Sequence, residues 1–235
     1  MAEPLVFLSS FLCDARLFGP QLAELSIDHT IVVTPLLGET VEQMAIAALE
    51  NLPPHFALVG HSLGGIVAME MLRRAPDRIT RVALMDTNAQ SETPSSAAAR
   101  EPRIVGAKSG RLEDVVKDEL RTDYLAATPE RLEILALWRQ MALDQGVEGF
   151  VRQSRAMQRR PDQQATLRRA RVPALLICGE EDNLTPVRRH EFIATLMPRA
   201  ELTVIDGAGH LPMLERPDLV TEALRQWLAK PLLLR

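Results

Sequence analysis

Short runs of apolar residues alternate along most of the chain with stretches in which apolar and polar residues recur at helical spacing. Within the runs, consecutive positions are apolar, which is typical of strands buried on both faces of a parallel sheet. Such runs predict strands at Pro4–Ser9, Thr30–Val33, Phe56–Gly60, Arg81–Met85, Val172–Cys178 and Leu202–Ile205. The intervening segments predict helices at Leu17–Leu25, Glu39–Asn51, Leu63–Ala75, Pro186–Met197 and Arg216–Leu228. We therefore expect an α/β fold with a doubly wound, mainly parallel sheet of about six strands and helices on both faces.

The alternation stops in the middle of the chain, where no strand is predicted. Residues 90–100 are rich in Ser, Ala and Thr and are interpreted as a linker. Helices are expected behind it at Leu112–Tyr124, Pro129–Asp144 and Val147–Arg159. We expect a core formed by residues 1–87 and 162–235, with residues 88–161 inserted as a helical cap, or lid.

Composition and charge exclude several classes of protein. Apolar residues make up 46% of the chain and charged residues 25%, which is ordinary for a globular protein. The formal net charge of −4 supplies no positive field, so a nucleic-acid partner is not expected. No apolar run reaches the roughly 18 residues that a membrane span needs, so no membrane association is expected. Cys13 and Cys178 are predicted to be buried, reduced thiols, which favours a cytoplasmic location.

Two features have no settled interpretation at this point. Residues 150–172 contain seven arginines, which would form either a patch for an anionic substrate or the solvated face of two helices. The solvated face is favoured, because Arg is common near the carboxyl ends of helices. The Leu232–Leu234 run has no assigned role, and the sequence leaves the oligomeric state open.

The segment Gly60-His61-Ser62-Leu63-Gly64 matches the G-x-S-x-G pattern of a nucleophile elbow. A predicted strand ends at this segment and a predicted helix begins there, which is the context that the pattern requires. The glycines allow a sharp turn, with the serine held in a strained conformation at its apex. We therefore predict Ser62 as a nucleophile, and His61 as a packed neighbour rather than its base.

A serine nucleophile needs a base, and the base needs a carboxylate that fixes its tautomer. His210 follows the last predicted strand in a short loop with two glycines, at the edge where parallel sheets place active sites. Asp182 follows the preceding strand and is the predicted acid, with Asp86 as the rival by position. The catalytic residues predicted are therefore Ser62, Asp182 and His210, in the chain order of α/β-hydrolases.

On these motifs the chain resembles the α/β-hydrolase fold family, as a compact, helical-capped, serine esterase-like member. The resemblance extends over nearly the whole chain, through GHSLGG, APDRITRVALMD, VPALLICGEEDNLTP and VIDGAGHLPMLERPD. It implies an oxyanion hole formed by the backbone N–H groups of Phe11 and Leu63. It also implies that the first two edge strands of the family are absent, because the first predicted strand leads directly into the oxyanion loop. Ser9-Ser10 stands where many relatives have His-Gly.

The function predicted is cleavage of a carboxylic ester-type bond in a small, largely apolar substrate, through an acyl-enzyme and without a cofactor or metal. The substrate pocket is predicted to include Ser10, His61, Trp138, Met141 and Leu211. The same triad also serves lactonases, thioesterases, C–C hydrolases and amidases, so these reactions stay open. A cofactor-free lyase or perhydrolase, and a small-molecule receptor that does not turn over its ligand, are the further alternatives.

Overall fold

The computed structural model of the protein describes residues 3–232, and its centre is a six-stranded parallel sheet in the order β2-β1-β3-β4-β5-β6. The strands are β1 (Leu5–Leu8), β2 (Ile31–Thr34), β3 (Phe56–His61), β4 (Ile79–Met85), β5 (Ala174–Gly179) and β6 (Ala200–Ile205). Every neighbouring pair of strands is parallel. The predicted fold class is confirmed.

Eleven α-helices surround the sheet in the described part of the chain. They are α1 (Gly19–Leu25), α2 (Val41–Glu50), α3 (Leu63–Arg74), α4 (Pro94–Lys108), α5 (Leu112–Glu119), α6 (Arg131–Asp144), α7 (Gly146–Gln158), α8 (Gln164–Arg169), α9 (Val187–Leu196), α10 (Pro212–Glu215) and α11 (Pro217–Ala229). Helices α2, α3, α8 and α9 pack side by side, and α1, α10 and α11 form a second group. Two separate helix layers are what a doubly wound sheet requires, because both of its faces are apolar.

The segment between β4 and β5 is helical, as expected, but one part of it was predicted wrongly. The Ser/Ala-rich residues taken for a linker form the first turns of α4. Thr93 caps this helix by accepting a hydrogen bond from the Ser96 N–H, and Pro94 occupies its first position. Alanine has the highest helix propensity, so a cap followed by an alanine run outweighs the turn-like composition. The short helix α8 was also not predicted.

Other expectations concern the cysteines and the ends of the chain. Cys13 and Cys178 are both buried free thiols, as predicted. Among residues 3–232, no helix combines the length and apolar character needed to cross a membrane. Of the Leu232–Leu234 run, residues 233 and 234 lie outside the described residues.

Candidate active site

Ser62 occupies the sharp turn between β3 and α3. Its backbone has φ = 51° and ψ = −113°, a left-handed conformation that a non-glycine residue adopts only when its surroundings impose it. The surroundings are tight, because a Cβ added to Gly60 would lie 2.5 Å from the Gly64 carbonyl oxygen. The Ser62 N–H donates to the Met85 carbonyl at 2.9 Å, and the Thr87 hydroxyl donates to the Ser62 carbonyl at 2.8 Å. The turn is therefore stabilised by hydrogen bonds with β4 and the segment that follows it, and its glycines allow the close approach of the backbone.

His210 and Asp182 meet at the same edge of the sheet. His210 lies in the loop after β6, and Asp182 lies in the loop after β5. His210 Nδ1 is 2.9 Å from Asp182 Oδ2, and both side chains are buried. With Nδ1 held by the carboxylate, Nε2 is the ring nitrogen left to exchange a proton.

Several groups hold the Asp182 carboxylate in its charged form. Burial alone would raise its pKa, but the contact with His210 and the hydrogen bonds from Thr185 lower it below the ordinary range. Oδ1 accepts from the N–H groups of Leu184 and Thr185, at 2.8 and 3.0 Å, and Oδ2 accepts from the Thr185 hydroxyl. Asp182 is therefore a fixed anion beside His210.

Asp86, the rival acid, makes different contacts. Its Oδ1 accepts a hydrogen bond from the Gly179 N–H at 2.9 Å. Burial and the nearby Asp182 charge raise the pKa of Asp86 well above its ordinary value. A neutral carboxyl cannot stabilise an imidazolium, so the geometry favours Asp182 as the partner of His210.

His61 packs against the back of the His210 loop. Its Nε2 lies 2.7 Å from the His210 carbonyl oxygen, so this nitrogen carries the hydrogen and donates it. Burial, reinforced by His210, lowers the pKa of His61 well below its ordinary value, so the ring is neutral. This is the packed neighbour that the sequence predicted, with the added role of holding the main chain of His210.

Glu215 is a positioning residue that the sequence analysis missed. Its Oε2 accepts hydrogen bonds from the N–H groups of Ala126 (2.7 Å) and Gly209 (3.0 Å), and its Oε1 accepts from the Leu211 N–H (2.9 Å). Burial raises its pKa, and these donors oppose the rise by favouring the carboxylate. One side chain thereby anchors both neighbours of His210 and links them to the segment before α6. Nothing in the pattern around Glu215 distinguishes it from an ordinary helical glutamate.

The two residues predicted for the oxyanion hole come from different parts of the fold. Leu63 is the first residue of α3, so its N–H has no intrahelical partner. Phe11, in the loop after β1, borders the same cavity as Ser62. The next residue, Leu12, has φ = 58° and donates its N–H to Gln153 Oε1 at 2.6 Å. Gln153 is buried on α7, and its contact with Leu12 was not foreseen.

A cavity of about 410 Å³ opens at Ser62. Apolar and polar residues from both parts of the chain form its wall: Phe11, Ile66, Thr87, Asn88, Glu92, Ser96, Ala99, Arg100, Arg103, Glu119, Tyr124, Met157, Leu184, Thr185, Arg160 and Arg189. The sequence predicted a pocket for a largely apolar substrate, whereas the wall of this cavity contains many charged groups.

None of the five residues predicted for the pocket belongs to the wall of this cavity. Ser10, His61, Trp138, Met141 and Leu211 are all at most 2% exposed. Trp138 stacks on His210, with ring centroids 6.0 Å apart and planes inclined by 30°. Helical spacing identified Trp138 and Met141 as buried positions, but it could not tell residues packed in the interior from those that face the cavity.

A six-stranded parallel sheet with a strained serine between a central strand and its helix is the architecture of an α/β-hydrolase enzyme. A sequence model described as the alpha/beta hydrolase family matches residues 6–223, so the chain belongs to that family. The resemblance inferred from the motifs is confirmed.

Several similar proteins have names that describe esterases or other hydrolases. The chain is 32% identical over 204 residues to a pimeloyl-[acyl-carrier protein] methyl ester esterase of Aromatoleum aromaticum, which covers 79% of this chain and 78% of the relative. It is 30% identical to a putative carbamate hydrolase RutD of Stutzerimonas stutzeri, over 97% of this chain and 92% of the relative. A thermophilic esterase from Thermogutta terrifontis, solved with malate bound, has a TM-score of 0.87 and 27% identity, over 97% of this chain and 90% of that chain.

Proposed function

We propose that the protein is a serine hydrolase that cleaves a carboxylic ester through an acyl-enzyme on Ser62. The observation that carries the proposal is the strained Ser62 at the end of β3, with the hydrogen-bonded pair His210 and Asp182 at the ends of neighbouring strands. The esterase-named relatives support the same reaction class.

The reaction proceeds in two halves. In the first half, Ser62 Oγ attacks the ester carbonyl while His210 Nε2 takes its proton, and Asp182 stabilises the imidazolium that forms. The negative charge on the carbonyl oxygen rests on the N–H groups of Phe11 and Leu63. His210 then passes the proton to the departing alkoxide, which leaves as an alcohol.

In the second half, His210 removes a proton from water, and the hydroxide attacks the acyl-enzyme at the same carbonyl. Collapse of the second tetrahedral intermediate releases the carboxylic acid and returns the proton to Ser62 Oγ. Every proton passes through His210, and the mechanism uses no cofactor. Substrate lies between the sheet edge and the inserted helices, where the cavity opens.

The test uses 4-nitrophenyl butyrate and a fluorophosphonate probe. Ser62→Ala should lower kcat by at least about 10³-fold and abolish labelling, because it removes the nucleophile. The exposed Ser26→Ala variant is the control and should behave like the parent protein. Retained activity in Ser62→Ala, or labelling at another residue, would overturn the proposal. Steady turnover beyond a single equivalent excludes a receptor, and a panel of lactones and thioesters then identifies the preferred bond.

A further inference from the structure

The cavity at Ser62 carries more positive than negative charge. Arginines 100, 103, 160 and 189 contribute guanidinium groups to its wall, against the carboxylates of glutamates 92 and 119. Two positive charges thus remain without a carboxylate within the wall, although the whole chain has a net charge of −4. The rest of the wall includes the apolar side chains of Phe11, Ile66 and Leu184. A cavity of this kind combines room for a hydrocarbon chain with a site for an anion.

The two glutamates are shared among three of the arginines. The Glu92 oxygens lie 3.6 Å from Arg100 Nη2 and 3.3 Å from Arg160 Nη2. The Glu119 oxygens lie 3.5 Å from Arg100 Nη1 and 2.9 Å from Arg103 Nη1. Each carboxylate therefore bridges two guanidinium groups, so three arginines share two negative charges. These ion pairs orient the guanidinium groups before any ligand arrives.

Arg160 shows the excess of positive charge most clearly. Its side chain is only 10% exposed. Burial lowers its pKa, Glu92 counteracts this, and the neighbouring Arg100 and Arg189 lower the pKa further. A second carboxylate beside Arg160 would relieve this repulsion as well as accept its hydrogen bonds.

Arg189 has a neutral partner. Its Nη1 donates to the Gln90 side-chain oxygen at 3.2 Å, and between residues 3 and 232 it takes part in no ion pair. Arg188, the next residue on α9, is exposed and outside the cavity wall. Helix α9 therefore offers two adjacent arginines that differ in whether they face the cavity.

We propose that the protein hydrolyses esters whose acyl chain ends in a free carboxylate, and that Arg160 and Arg189 bind this distal carboxylate. The proposal rests on the function proposed for Ser62. The ester carbonyl lies at Ser62, the hydrocarbon spacer lies along the apolar wall, and the carboxylate replaces solvent at the two guanidinium groups. Arginine suits this task because its planar fork binds a carboxylate through two parallel hydrogen bonds.

The test compares two substrates that release the same chromophore. One is the 4-nitrophenyl monoester of adipic acid, and the other is its uncharged counterpart, in which the distal carboxylate is a methyl ester. The parent protein should prefer the anionic substrate by at least about tenfold in kcat/KM, since a charge-assisted hydrogen bond contributes an amount of that order. Arg189→Ala should reduce this preference about tenfold. Arg189→Lys, which retains the charge without the fork, should give an intermediate value.

Matched control variants separate the effect of a positive charge in the cavity wall from the effect of the protein's net charge. Arg188→Ala removes the same charge from the same helix at an exposed position, and its preference should equal that of the parent. Arg160→Ala and the exposed Arg159→Ala form a second pair, with thermal unfolding used to check that Arg160→Ala folds. A 4-nitrophenyl ester of 6-aminohexanoic acid, with a distal cation, should be hydrolysed more slowly than the uncharged ester.

The outcomes distinguish this inference from the proposed function. If the parent hydrolyses the uncharged ester through Ser62 but shows no preference for the anionic one, the inference is wrong and the serine mechanism stands. An anion preference that Arg189→Ala and Arg160→Ala leave unchanged also overturns it. If neither ester is hydrolysed and Ser62 is not labelled, the proposed function itself has failed.

Discussion

The anchoring of the His210 loop by Glu215 leads to a quantitative prediction for Glu215→Gln. The carboxylate accepts three hydrogen bonds from backbone N–H groups, two at Oε2 and one at Oε1. A glutamine with its oxygen toward Ala126 and Gly209 keeps two of these bonds but places its NH₂ group against the Leu211 N–H. The Leu211 N–H then loses its acceptor and faces a second donor, which costs at least about 1–3 kcal/mol of folding stability. The opposite orientation loses two bonds and is therefore disfavoured.

The hydrogen bond that is lost lies next to the proposed base, so its loss should also affect catalysis. Leu211 is the next residue after His210, and a displacement of this loop by about 1 Å should lower kcat up to about 100-fold. KM should change less, because Glu215 lies outside the wall of the cavity. Urea unfolding gives the stability difference, and hydrolysis of a 4-nitrophenyl ester gives kcat and KM. Glu222→Gln makes the same chemical change at an exposed site on α11 and serves as the control.

Two results would refute this reasoning about Glu215. Equal unfolding free energies for Glu215→Gln and Glu222→Gln would mean that the three hydrogen bonds contribute nothing to stability. A stability loss with kcat unchanged would mean that Glu215 holds the fold but does not position His210.

Two further predictions concern the partners of His210 and of the oxyanion loop. Asp182→Asn should lower kcat by about 10³–10⁴-fold, because an amide cannot stabilise the imidazolium. Since the pKa of Asp182 in the fold lies below the ordinary 3.8, its carboxylate stabilises the fold above about pH 4, and this contribution disappears on acidification. In urea unfolding at a series of pH values, the free energy of unfolding of Asp182→Asn should therefore fall less steeply on acidification than that of the parent. Gln153→Leu leaves the Leu12 N–H without its acceptor and should lower kcat about tenfold, while the exposed Gln140→Leu should not, in the same 4-nitrophenyl assay.

The sheet and its site-bearing edge could be predicted because strong local signals coincide there. Consecutive apolar residues identify strands buried on both faces, and the glycines around Ser62 are required by contacts that leave no room for a Cβ. In a parallel sheet the carboxyl ends of neighbouring strands meet at one edge. Strand order alone therefore brings Asp182 and His210 together, and the sequence suffices to predict their contact.

The wall of the cavity could not be predicted because it depends on how the inserted helices are oriented over the sheet. Trp138 and Met141 have the apolar character of pocket residues, yet packing buries them in the interior of the protein. Gln153 and Glu215 carry no local signal, since a buried polar side chain acquires its role from backbone groups far away in sequence. The helix at Pro94 was missed for a related reason, because its composition suits both a loop and a capped helix.

The seven arginines of residues 150–172 show where sequence reasoning reaches its limit. Arg159 and Arg160 are adjacent and chemically identical, yet only the second borders the cavity, where it pairs with Glu92. A pattern of charge can therefore be mainly a solvated surface and still supply one side chain to a site. If the two proposals hold, the strand ends of the sheet carry the reacting groups, and arginines on the helices and in the segments after them carry the charges that select the substrate. Substitutions in the helices should accordingly change which ester is hydrolysed before they change whether hydrolysis occurs.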